Sequence, residues 1–179
     1  MIKTVIIING AGGVGKNTLC DITDKYYSTF NTSAITPIKE IAKQLGWDGQ
    51  KEAKDRKLLA DLKQPSIEYN DLPTKYLYEQ FEKFVQDEFD QIMFMHIREP
   101  EEIDKIKDKI KETDNVRVIT LLVKRDSTRN EWGNEADDSV AKYSYDFTYN
   151  NNKELKEVEG DFIDFLQDVI KIEGENDNS

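Results

Sequence analysis

The stretch Val5-Ile6-Ile7-Ile8-Asn9-Gly10-Ala11-Gly12-Gly13-Val14-Gly15-Lys16-Asn17-Thr18 runs from a continuous β-branched segment straight into four glycines and a lysine. Val5–Ile8 is short and apolar at every position, the pattern of a central parallel strand buried on both faces. A helix is expected to follow through about Tyr26. The glycines fit two templates, Gly10-x-Gly12-x-x-Gly15 of a dinucleotide fingerprint and Gly10-x4-Gly15-Lys16 of a phosphate-binding loop. The dinucleotide reading requires an acid about 20 residues on, at the end of the second strand, to hold a ribose. From Tyr26 to Ile38 there is neither Asp nor Glu. Lys16, by contrast, stands where the second template places a cation against β- and γ-phosphates, and we take that template. Its glycines let successive N–H groups converge on an anion while the helix behind adds its positive end. A tight strand-to-helix turn alone would account for one or two glycines, not four with a lysine.

Outward from this loop the chain alternates strands and helices. A second short strand is expected near Ser33–Thr36. Pro37 then suits the first turn of a helix whose apolar stripe is Ile38, Ile41, Ala42 and Leu45 and which Gly46 ends. Trp47–Glu88 has no strand-like run; charged helical segments are broken by turn signals at Asp48-Gly49, Pro65 and Pro73. Tyr76, Leu77, Phe81, Phe84 and Val85 recur at helical spacing and read as core. Ile92–Ile97 and Val116–Val123 are buried strands, separated by a charged helix over Glu101–Lys111. Residues 126–141 are polar and suit a surface loop or lid. Tyr145–Tyr149 reads as a last strand, Leu155–Ile172 as a closing helix with a Phe162, Phe165, Leu166 and Val169 face, and Glu173–Ser179 as a disordered tail. This alternation implies a parallel sheet covered on both faces.

A length of 179 residues suits one domain. Hydrophobic residues are 37% and charged ones 34%, polar for a globule but with apolar strands that argue against disorder. The excess of 36 acidic over 25 basic residues, a net charge of −11, repels nucleic-acid backbones and anionic membranes, so neither is expected as a partner. One cysteine, Cys20, and one histidine, His96, exclude a disulfide framework and argue against a zinc site of side-chain nitrogen and sulfur ligands. No apolar run approaches a membrane span and no signal peptide is visible, so a cytoplasmic location is expected.

The residue after Lys16 is Asn17, with the hydroxyl one place later at Thr18; this Gly-Lys-x-Thr form resembles the adenylate-kinase branch of P-loop proteins. Four later stretches extend the match in order: Thr36-Pro37-Ile38-Lys39-Glu40, Ile97-Arg98-Glu99-Pro100-Glu101-Glu102, Leu122-Val123-Lys124-Arg125 and Tyr145-Asp146-Phe147-Thr148-Tyr149-Asn150-Asn151. Together they resemble the P-loop nucleoside monophosphate kinases, most of all the phage-type deoxynucleoside monophosphate kinase family. The resemblance implies a single domain over residues 1–172 with a three-layer α/β fold and five parallel strands in the order 2-3-1-4-5. It also implies a helical acceptor-binding insertion over about 47–90 and a short lid over about 125–141. ATP would be the donor, held by Gly10, Ala11, Gly12, Gly13, Val14, Gly15, Lys16, Asn17 and Thr18, with its adenine against the backbone at Asn150. Magnesium would lie near Thr18, with Glu99 or Asp126 as a substitute ligand. The family often has an aspartate where this chain has His96, and that departure bears on catalytic competence.

Phosphoryl transfer depends on positioning and on neutralising charge more than on acid–base work. Of the five arginines, Arg117 opens a strand and reads as structural or exposed. Arg98 follows a buried strand at its carboxyl end, where ligands bind in open α/β sheets. With Arg56 on the insertion, and Lys39 in the second matched stretch, it is expected to meet the acceptor monophosphate. Arg125 and Arg129 enter the lid and are expected at the transferring phosphoryl group, since the planar guanidinium fork suits phosphate oxygens. Trp47 and Asp48 are candidates for one wall of a base pocket. Alternatives stay open: another small phosphorylated or hydroxylated metabolite as acceptor, or a nucleotide-binding regulatory protein without turnover. Oligomeric state is open too, a homodimer included.

Overall fold

The computed structural model describes residues 2–126, 140 and 142–176. Its elements are β1 (Lys3–Asn9), α1 (Lys16–Thr23), β2 (Thr29–Ser33), α2 (Thr36–Gln44), α3 (Ala53–Asn70), α4 (Leu72–Gln86), β3 (Ile92–His96), α5 (Pro100–Ile110), β4 (Val116–Lys124), β5 (Phe147–Asn150) and α6 (Leu155–Asn176). All the strand pairs are parallel, and the order is β2-β3-β1-β4-β5, as expected.

Val5–Ile8 is wholly buried because β1 is central and each face of the sheet is covered. Ile6 and Ile8 point to one face, where Leu19, Cys20 and Ile22 of α1 and Phe162, Leu166 and Val169 of α6 pack. Val5 and Ile7 point to the other, against Leu77, Phe81 and Phe84 of α4 and Ile103, Ile106 and Ile110 of α5. Each such large apolar side chain contributes about 1.5–3 kcal/mol on burial. In the register Ile8 lies beside His96 and Asn9 beside Leu122, so the carboxyl ends of the three inner strands share one edge with the glycine loop.

Three expectations shift. β2 ends where the sequence reading began it, at Ser33, because Thr29–Ser33 pairs with Ile92–His96. That strand, Thr-Phe-Asn-Thr-Ser, is an edge strand and carries little hydrophobic signal. Pro65 does not mark a turn but lies inside α3. An interior proline forfeits one helix hydrogen bond and about 3 kcal/mol, and tertiary ties on both sides of it, at Lys63 and Asp71, hold the helix in place. The last helix runs four residues past Ile172, taking in the start of the expected tail. The stripe in α4 is core as expected, with Leu77, Phe81 and Phe84 buried and Tyr76 half-buried. No helix among the described residues is long and apolar enough to cross a membrane.

Candidate functional site

The loop leaves β1 at Asn9 and enters α1 at Lys16. Gly10 has φ 142°, and a Cβ there would stand 2.3 Å from the Val123 carbonyl oxygen of β4, so only glycine fits. Gly15, with φ 96°, is the N-cap of α1, and a Cβ on it would lie 2.5 Å from Nδ2 of Asn151. Between these two points the loop curls around a pocket of about 240 Å³ lined by Gly13, Gly15, Lys16, Asn17 and Thr18. The Lys16 ammonium folds back over the loop, donating to the Gly10 carbonyl and, at 2.9 Å, to the Ala11 carbonyl. A helix N-terminus, backbone donors and an ammonium thus meet at one small cavity, a setting that favours a phosphate-sized anion.

His96, at the end of β3, has Nε2 at 3.7 Å from Sγ of Cys20 in α1. Burial, with the Lys16 cation second, pushes its pKa down to about 4, so it is a neutral imidazole at pH 7. Burial likewise pushes the Cys20 thiol up to about 12, which leaves it unreactive. One residue past the Arg98 turn, Glu99 is 2.6 Å from Nζ of Lys63, which reaches over from α3 and also stands 3.0 Å from Glu102. Desolvation opposes the charge of Glu99, but Lys63 more than offsets it and holds the carboxyl below its usual range; burial and the charge of Glu99 push Glu102 up. These two carboxylates are absorbed by an ion-pair cluster.

Buried asparagines brace the loop at each end. Asn9, 2% exposed, accepts from the Gly10 N–H through Oδ1 at 2.8 Å. Its Nδ2 donates to the Arg98 carbonyl at 2.9 Å and to the Tyr145 hydroxyl at 2.8 Å. One side chain therefore ties the loop entry to the arginine turn and to the segment before β5. Asn151, 4% exposed and just after β5, donates from Nδ2 to the Val14 carbonyl at 2.8 Å, and its own N–H donates to Lys124. Next to it Asn152 and Asp126 exchange hydrogen bonds of 2.9 and 2.7 Å, pinning the chain as it leaves β4.

No protein-family model matches the chain, and no curated protein sequence does so significantly. Solved structures do. A sugar kinase from Janibacter sp. HTCC2649 superposes with a TM-score of 0.51 at 13% identity, covering 93% of this chain and 95% of that one. The APS kinase CysC of Mycobacterium tuberculosis gives 0.46 at 10% identity over 92% and 97% of the two chains. The likeness to the first, together with the strand order, is one of fold. The chain has a P-loop NTPase-like α/β fold.

On that fold the residues singled out in the sequence fall into distinct places. Lys16, Asn17 and Thr18 line the loop pocket with Gly13 and Gly15. Gly10 sits against β4, and Ala11, Gly12 and Val14 complete the loop. Arg98 is exposed at the carboxyl edge of the sheet, its carbonyl fastened to Asn9, and Arg125 is exposed just past β4. Asn150 is exposed at the end of β5. Lys39 lies half-buried in α2. Arg56 is on the first turn of α3 and donates from Nε to the Lys51 carbonyl at 3.1 Å. Trp47 and Asp48 close a local turn, Trp47 donating to the Gln50 carbonyl and Asp48 accepting from the Gln50 N–H. Arg129 and most of the expected lid lie outside the described residues. Arg117 is structural, donating to the Ile170 carbonyl of α6. Among the described residues no group of three or more His, Cys, Asp or Glu side chains converges as a metal cage.

Asn9, Lys63 and Asn151 are the residues that sequence reasoning missed. Asn9 carried a faint signal, a polar residue ending an otherwise apolar strand directly before the glycines. Lys63 carried none, since one lysine of a charged helix looks like another.

Proposed function

We propose that this chain is an ATP- and magnesium-dependent phosphotransferase whose acceptor is a (deoxy)nucleoside monophosphate, in the manner of the phage-type deoxynucleoside monophosphate kinases. The observation that carries the reading is the loop pocket lined by Gly13, Gly15, Lys16, Asn17 and Thr18 at the carboxyl end of β1. Lys16 leaves the loop carbonyls to meet the β- and γ-phosphates, and the loop amides hold the remaining oxygens. Arg98 meets the acceptor phosphate with Lys39 and Arg56, and Arg125 and Arg129 meet the transferring group. Trp47 and Asp48 border the acceptor base. In this reading residues 1–172 form one catalytic domain, 47–90 bind the acceptor, and 125–141 close as a lid that excludes water.

The donor set fits magnesium only in company with phosphate. A magnesium ion keeps several waters and needs one or two protein oxygens; the exposed Thr18 hydroxyl in the pocket is one, while Glu99 serves only by giving up Lys63. When bound, the ion neutralises charge on the donor phosphates. No general base is required, because a monophosphate oxygen is already nucleophilic. The acceptor class is supported by the five ordered stretches of resemblance, from Gly10–Thr18 to Tyr145–Asn151.

The test is ADP release from ATP and magnesium with a panel of nucleoside and deoxynucleoside monophosphates, plus phosphomevalonate and gluconate. The expected result is turnover that depends on a nucleotide acceptor and disappears in Lys16→Ala. Turnover with a non-nucleotide acceptor alone would overturn the acceptor class. ATP binding with no turnover on any acceptor would favour the regulatory reading, to which His96 and the captive Glu99 lend weight.

A further inference from the structure

The geometry points to Asn151 as a positioning residue that aims the Gly15 amide into the phosphate pocket. This inference rests on the proposed phosphate site. A trans peptide is planar and sets its carbonyl and its N–H on opposite sides. Whatever holds the Val14 carbonyl therefore also sets the direction of the Gly15 N–H. Asn151 Nδ2 holds that carbonyl at 2.8 Å, and Gly15 lines the pocket.

The side chain has little freedom to do otherwise. It is 4% exposed, it fills the space a Cβ on Gly15 would need, and its own backbone is anchored on Lys124 at 2.8 Å. Rotating the amide would set its oxygen against the Val14 oxygen, two acceptors with no proton between them. The price of the observed orientation is visible, for Oδ1 is buried without a hydrogen-bond partner among the described residues. An orphaned acceptor opposes stability, and the amide is kept where its donor serves the loop. Because Asn151 follows β5, it also links the strand end expected to carry the donor base to the loop expected to carry the donor phosphates.

The probe is inorganic tripolyphosphate, which has the phosphates of a donor and no base, compared with ATP by calorimetry on the full chain. One lost hydrogen bond of this kind corresponds to about tenfold in affinity. We expect Asn151→Ala to weaken tripolyphosphate and ATP by about that factor, with Asn151→Asp, which sets a carboxylate against the carbonyl, weaker still. The acceptor's KM should stay close to wild type, and each variant should still melt cooperatively. A folded Asn151→Ala that binds tripolyphosphate like wild type overturns the inference and leaves the phosphate site standing. A wild-type chain that binds neither probe overturns the phosphate site and the inference with it. If both variants fail to fold, the wild-type Gly15 amide proton decides by NMR. A large downfield shift on adding tripolyphosphate supports the assignment, and a Gly15 resonance that does not respond overturns it.

Discussion

His96 occupies the strand end where the resembled kinases often place an acid, and its surroundings make it a neutral packing group. Its folded pKa of about 4 lies below the ordinary 6.5, so between these values the unfolded chain binds more protons than the folded one. Its contribution to stability is therefore complete above about pH 6.5 and is lost as the pH falls toward 4. His96→Gln should flatten the urea-unfolding midpoint over that window, the difference from wild type reaching about 2–3 kcal/mol at its acid end. An unchanged slope in the variant would show that the imidazole is hydrated. The comparison must be made against wild type at each pH, because Glu102, raised by burial, contributes in the opposite sense as the pH rises from the carboxylate range. At this scale the loop was legible: four glycines and a lysine have few other uses, and Gly10 and Gly15 show why. The roles of Asn9 and Asn151 were not, since a buried asparagine and a surface one are the same letter.

Between elements, the contact with most at stake is that of α3 with α5 through Lys63. Its side chain is 13% exposed and stands between Glu99, which is 43% exposed, and Glu102, which is 5% exposed, so removing it strands the buried Glu102 carboxylate. Breaking a buried pair from one side costs about 3–5 kcal/mol. Lys63→Met should therefore lower stability by about 3 kcal/mol at about pH 8, and by less at about pH 5, where Glu102 takes a proton. Adding Glu102→Gln to Lys63→Met should restore much of the loss. Equal losses at both pH values, or no recovery in the double variant, would show that the stem of Lys63 matters rather than its charge. Strands and helices themselves were largely readable, because β1, β3 and β4 are apolar runs between clear turn signals. β2 and the continuity of α3 were not. An edge strand needs few apolar residues, and a proline's local penalty can be offset by contacts made far along the chain.

The whole molecule carries 36 acidic against 25 basic residues. Self-repulsion of that excess opposes the compact state, while the surface ion pairs that salt would also weaken are worth little each. Raising sodium chloride from about 0.01 M to about 1 M shortens the screening length from about 30 Å to about 3 Å. The Tm at neutral pH should rise across this range, and a fall would mean that local pairs outweigh the net charge. The repulsion also sharpens the meaning of the loop pocket, where an ammonium, backbone donors and a helix end gather in a protein otherwise hostile to anions.

Three features are legible without any tertiary information: the alternation of strand and helix, the central place of Val5–Ile8 and the glycine loop Gly10–Thr18 with its lysine, all of which follow from local periodicity and from the conformations glycine permits. The strand order was expected from resemblance and was found. Which side chains support that loop is set by contacts between distant parts of the chain. Asn9 lies 89 residues from Arg98 and Asn151 lies 137 from Val14, and Lys63 reaches 39 residues to Glu102. Such pairs form because the sheet brings distant carboxyl ends to one edge, and no local pattern records which polar residue will be buried there with its partner.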